Sequence, residues 1–223
     1  MNILALETST EYCSVALWQD GAESGRCERV GQKHSQVLLP MVDELLREAG
    51  IRLHEVDGIA FGAGPGSFTG VRIACSAAQG LALGADKPVA GICTLQALAE
   101  DAAHERVIAV LDARMAEVYC AAYEKRGDVW HTVCEPELCL PPDAPDLTGA
   151  DWFGAGSGFV AHGGQLRARY AANLTAVDEQ AVPQAAAIAR LAAPLFAAGL
   201  GVDAADATPF YLRDRVALKT SER

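Results

Sequence analysis

Apolar and polar positions along the first hundred residues follow two different rhythms. "NILALET" (2–8) and "CSVALWQDG" (13–21) are short apolar runs joined by a few polar residues, and "AESGRCERV" follows the Asp20-Gly21 turn signal. Runs of this length and spacing predict a β-meander. From Ser35 to Ala49 the rhythm changes. Val37, Leu38, Met41, Val42, Leu45, Leu46 and Ala49 fall in pairs every four positions, with Asp43, Glu44, Arg47 and Glu48 between them. That pattern predicts an amphipathic helix ended by Gly50, which Pro40 bends or delays. "VDGIAFGA" (56–63) predicts a strand. Val71–Ala85 predicts a helix whose only charge is Arg72, and a helix so apolar on all sides needs cover on more than one. "PVAGI" (88–92) and Thr94–His104 predict one more strand and helix.

"RVIAVLDARMAEVYCAAYEKRGDVWHTV" (106–133) repeats the opening meander. After a proline-rich connection (136–145), "ADWFGAGSG" predicts a strand that runs into a small-residue turn, and 184–198 an alanine-rich helix interrupted by Pro194. Strands first, then alternating helix and strand, twice over, predict an α/β chain of two lobes, 1–105 and 106–223. Each lobe should hold a mixed sheet with flanking helices, and the similar order points to an internal duplication.

Composition narrows the function. The chain has 223 residues, 51% hydrophobic and 21% charged, which suits a globular protein. No apolar run reaches the roughly 18 residues of a membrane span, so a cytoplasmic protein is expected. Its formal charge is −11 and its pI about 4.8. An acidic surface repels the phosphate backbone, so any RNA is met through a partner that carries the positive charge. The cysteines (Cys13, Cys27, Cys75, Cys93, Cys120, Cys134, Cys139) form no CxxC pair and read as small buried hydrophobes in a reducing compartment, with neither zinc nor disulfides expected.

"FGAGPGSFTGVR" (61–72) is the segment richest in candidate chemistry. A glycine loop leading into a helix presents backbone N–H groups and the positive end of the helix dipole, which suits an anion. Yet Gly70 is followed by Val71 and Arg72 where a P-loop needs lysine, and GxGxxG fails at Ser67. Tight turning and close helix packing explain the glycines better. No GxSxG elbow and no activated cysteine is present, so no catalytic residue is assigned. The apolar excess of the helices 36–49 and 71–85 calls for contact with another chain, through Leu38, Met41, Val42, Leu45, Val71, Ala74, Cys75 and Ala78.

"LALETSTEYCSVAL", "KHSQVLLPMVDELL", "DGIAFGAGPGSFTGVRIA", "GLALGADKPVAGICTL" and "PFYLRDRVA" together resemble the TsaB (YeaZ) family over nearly the whole chain, and "GPGSFTGVR" is the most specific of them. The resemblance implies a two-lobed actin-like, hsp70-like (ASKHA) fold. It further implies a non-catalytic subunit of the machinery that forms threonylcarbamoyladenosine in tRNA. Such a subunit pairs through the same two helices with itself when alone, and with a TsaD-like catalytic subunit in the working complex, where a TsaE-like ATPase docks at the junction. "ETST" (7–10) resembles the matching stretch of TsaD, so Glu7, Thr8 and Ser9 are the candidate contacts for weak ATP or ADP binding, with no cofactor required. TsaD-like enzymes hold a metal with two histidines four apart; here His34 is followed at that spacing by Leu38, and no metal site is expected. The alternatives are a stand-alone ATP-dependent kinase or a glycoprotease-like enzyme of the same fold.

Overall fold

The computed structural model describes residues 1–213; the rest of the tail that begins at Pro209 lies outside the described residues. The strands β1 (Asn2–Glu7), β2 (Tyr12–Gln19) and β3 (Ala22–Arg29) form the expected antiparallel meander, to which β4 (Gly58–Gly64) and β5 (Val89–Cys93) add in parallel. Their order is β3-β2-β1-β4-β5. A second sheet is built from β6 (Arg106–Arg114), β7 (Glu117–Arg126), β8 (Val129–Cys139), β9 (Trp152–Ala155) and β10 (Leu174–Asp178), in the order β8-β7-β6-β9-β10. The two sheets therefore share one topology, strand for strand.

Side chains alternate across each sheet and send two cores to its two faces. On the first sheet, Leu4, Leu6, Val15, Ile59 and Phe61 meet α1 (His34–Ala49) and α2 (Phe68–Ala85). Ile3, Ala5, Ala60 and Ala90 on the opposite face meet α5 (Ala185–Ala197). On the second sheet, Val107, Ala109, Tyr119 and Tyr123 pack with Leu95 and Leu98 of α3 (Thr94–Asp101), while Val110, Cys120 and Trp152 pack with Phe159 and Leu166 of α4 (Gly158–Arg169).

The chain thus crosses over twice: the strands of the two sheets fall on either side of 105/106, but the helices do not. α3 follows a first-lobe strand yet covers the second sheet, and α5 follows a second-lobe strand yet covers the first. Beyond α5, Val202 bridges back to Val89 and the Phe210 N–H donates to the Ala63 carbonyl at 2.7 Å. α5 and the stretch that follows it to Tyr211 return to the first lobe, whose sheet has a second apolar face for α5 to cover, while Leu212 and Arg213 turn to the second lobe. Arg190 of α5 ties the elements together, binding Glu100 at 2.9 Å, Asp101 at 2.6 Å and Glu23 at 2.8 Å.

Local differences from the sequence expectations have local causes. α2 starts at Phe68, ahead of its apolar pattern, because the Ser67 Oγ caps it by accepting from the Gly70 N–H at 3.3 Å. Pro40 stays inside α1 at an exposed position. α4 shows no apolar period in "GFVAHGGQLRAR" and kinks at His162, which hid it from pattern reading.

Candidate functional site

The glycine loop lies where β1, β4 and α2 converge, and it is tied down from within. The Gly64 N–H donates to the Thr94 Oγ1 at 3.1 Å, the Ser67 N–H to the Ser9 carbonyl at 2.7 Å, and the Val71 N–H to the Ser67 carbonyl at 2.9 Å. Thr8 Oγ1 donates to the Gly70 carbonyl at 2.7 Å. A Cβ at Gly70 would stand 2.0 Å from the Thr8 carbonyl oxygen, so only glycine lets the end of β1 seat on the first turn of α2. The chain itself thus takes up the Ser67 N–H and the Gly70 carbonyl, while Ser67, Phe68 and Thr69 stay exposed at the start of α2.

Glu7, Thr8 and Ser9 are brought together there, all buried. Glu7 Oε1 accepts a hydrogen bond from the Ser9 N–H, while Glu7 Oε2 and Ser9 Oγ are buried without a hydrogen-bond partner among the described residues. Burial pushes the Glu7 carboxyl up to about 7, against the lowering effect of its bonds to Ser9. Ser9 borders an interlobe cleft of about 1160 Å³, whose walls include Arg29, Arg114 and Arg213 beside Glu11, Asp112 and Glu179. The cleft carries both signs of charge in mixture.

Across the cleft, the "GAGSG" turn repeats the first loop's design. Gly156 has φ +111°, and a Cβ there would meet the Val110 carbonyl oxygen at 2.4 Å. Ser157 Oγ accepts from the Asp112 N–H at 3.2 Å, and His162 Nε2 lies 3.7 Å from the Asp112 carboxylate. A hydrolytic triad needs its imidazole on the serine. Here the serine serves a backbone N–H, and His162 Nε2 has no hydrogen-bond partner among the described residues.

The helix pair required the largest revision. Leu38, Met41, Val42, Leu45, Val71, Ala74, Cys75 and Ala78 are all buried against their own sheet, so as placed they form core rather than partner surface. Leu39, at 51% exposure, and Leu83, at 79%, mark the outward faces of α1 and α2 instead. On α2, Ser76, Gly80 and Gly84 are exposed at a spacing of four, and a Cβ at either glycine would meet nothing within 4 Å. Glycine in a helix interior costs about 1 kcal/mol relative to alanine. Internal packing does not require it here. This stripe, readable in the sequence as small residues at i, i+4 and i+8, was masked by the stronger apolar pattern beside it.

The comparisons agree with this architecture. The TsaD family model, tRNA N6-adenosine threonylcarbamoyltransferase, matches residues 27–219. The Escherichia coli (strain K12) tRNA threonylcarbamoyladenosine biosynthesis protein TsaB is 40% identical over 98% of this chain and 97% of its own length. Its Haemophilus influenzae counterpart is 39% identical over 98% and 96%. The chain belongs to the TsaB family. Among solved structures, a Pseudomonas aeruginosa protein described as similar to the peptidase YeaZ superposes with a TM-score of 0.87 at 42% identity, covering 95% of this chain and 99% of that one. YeaZ from the same organism gives a TM-score of 0.84 at 42% identity. The two-lobed ASKHA fold expected for a TsaB-like chain is the fold found. Among the described residues no helix is long and apolar enough to cross a membrane.

Proposed function

We propose that this chain is a non-catalytic subunit in tRNA threonylcarbamoyladenosine formation, pairing with a TsaD-like catalytic subunit that transfers the threonylcarbamoyl group from its adenylate to tRNA adenosine. Family membership supports the pathway. The exposed Ser76-Gly80-Gly84 stripe supports the scaffold role, since small side chains let a second helix approach closely. In this reading the outward faces of α1 and α2 make the homodimer when the chain is alone and the heterodimer in the complex, so the two assemblies exclude each other. A TsaE-like ATPase docks at the junction, and tRNA is held through the complex because the chain itself carries a charge of −11. The work is cytoplasmic. A nucleotide, bound weakly and without turnover, would lie in the interlobe cleft beside Ser9. The kinase and glycoprotease readings fit less well: the glycine loop has no P-loop lysine after Gly70 and spends its Ser67 N–H on the Ser9 carbonyl, and Ser157 lacks its imidazole.

Gly80→Arg tests the reading. It adds a helix-favouring residue in open space, so folding stability should stay level or rise by up to about 1 kcal/mol, while sedimentation shows a monomer and pull-down no longer captures the catalytic partner. A folded variant that still dimerises and still captures the partner overturns the placement. Steady ATP hydrolysis by the lone wild-type chain overturns the non-catalytic role.

A further inference from the structure

The second lobe carries a cluster of metal-ligating side chains outside the cleft lining and on the sheet face opposite Tyr119, which does line it. Cys120 on β7 stands opposite Glu137 on β8 in the sheet register, and Cys139 lies two residues further along on the same face. The Sγ atoms of Cys120 and Cys139 are 3.4 Å apart, and each pair among these two sulfurs and a Glu137 carboxylate oxygen lies within 4.8 Å. The expectation of isolated hydrophobic cysteines fails here because register puts the two thiols on one face with a carboxylate between them.

We propose that Cys120, Glu137 and Cys139 bind a zinc-class divalent cation through two thiolates and one carboxylate, with water in the fourth position. The dimensions fit: a tetrahedral zinc with bonds of about 2.3 Å to sulfur separates its sulfur ligands by about 3.8 Å, so the pair must open by only a few tenths of an ångström. The ligand set is of the kind that zinc takes, borderline-soft sulfur with one hard oxygen. Cys120 is buried at the floor, beneath a wall that includes Trp152, Phe159 and Tyr170. Cys139 is half-buried and Glu137 exposed, which gives the ion a way in from solvent and a carboxylate to meet it first. Binding releases the two thiol protons to solvent and leaves both sulfurs as metal-bound thiolates, neither oxidised nor reduced. The bound ion would pin β8, an edge strand, to β7.

Cobalt(II) is the probe, titrated into the full chain under a phosphine reductant. The proposal expects one equivalent bound, with a thiolate-to-cobalt charge-transfer band that zinc abolishes by displacement. Cys139→Ser and, separately, Cys120→Ser should remove the band, Glu137→Gln should weaken binding at least tenfold, and Cys27→Ser, on the other lobe, should leave it intact. Zinc should raise the melting temperature of the wild type and not that of Cys139→Ser, whose circular dichroism reports its fold. No charge-transfer band in the reduced wild type, or a band that survives Cys139→Ser, overturns the proposal.

Discussion

The two lobes share a strand order yet differ in what lies outside it. In the first lobe the stretch between the third and fourth strands of the sheet forms α1, a full helix beside α2. In the second lobe the equivalent stretch, 140–151, holds a single short 3-10 turn, Pro141–Asp143, and the helix matching α2 is the shorter, kinked α4. Both sheets are sealed from within by the crossing helices. Only the first lobe carries a pair of regular helices side by side on one face of its sheet. One topology used twice thus supplies two different scaffolds, and the connection after the third strand decides which of them bears a helix pair.

The sharpest way to break that comparison is to test whether the two sides of α1 and α2 differ as their exposure requires. Leu45→Arg buries a charge in the first-lobe core, where Leu45 is 3% exposed, and should cost more than about 4 kcal/mol in urea unfolding. Leu83→Arg on the outward face should stay within about 0.5 kcal/mol. Equal costs would mean the two faces have been confused.

A smaller effect addresses what joins the lobes. Arg190→Ala removes three ion-pair contacts at once and leaves Glu100 and Asp101, both half-buried or nearly so, without their shared cation. Breaking such a network should cost roughly 2–4 kcal/mol, and amide exchange should quicken in both α3 and α5. Faster exchange in α5 alone would mean that the arginine serves the first lobe only.

Glu7 gives a difference in pH response. Its folded-state carboxyl holds its proton to about 7, whereas in the unfolded chain it releases it near the ordinary value of 4.5. The native state therefore binds more protons between these values, and stability falls as pH rises from about 4.5 to about 7, then levels off. Glu7→Gln should remove that fall, gaining about 3 kcal/mol at pH 8 and nothing below pH 4.5. Unfolding midpoints measured across pH check it, and a gain that is the same at both ends would refute the assignment.

Much of this was legible in the chain. The meanders 2–29 and 106–139 could be read because short apolar runs separated by turns have few other solutions, and the glycine loop's failure to match either phosphate pattern anticipated its self-satisfied hydrogen bonds. The residues expected to meet a partner lie in the core for a definite reason. Leu38, Met41 and Leu45 make the strongest helical stripe in the sequence, but periodicity reports only that a face is covered, and their own sheet covers it. The outward stripe of Ser76, Gly80 and Gly84 is chemically quiet. Likewise, the approach of Cys120 to Cys139 depends on strand register, which no spacing along the chain records.

The crossing of α3 and α5 also orders events at the ribosome. When the first lobe's own five strands have been synthesised, Ile3, Ala5, Ala60 and Ala90 still have an open face, because the helix that covers them begins only at Ala185. The first sheet is completed by a helix that is made only after every strand of the second sheet. Nascent chains released early would display that alanine-lined surface to chaperones or to one another, and the two lobes mature together rather than in turn.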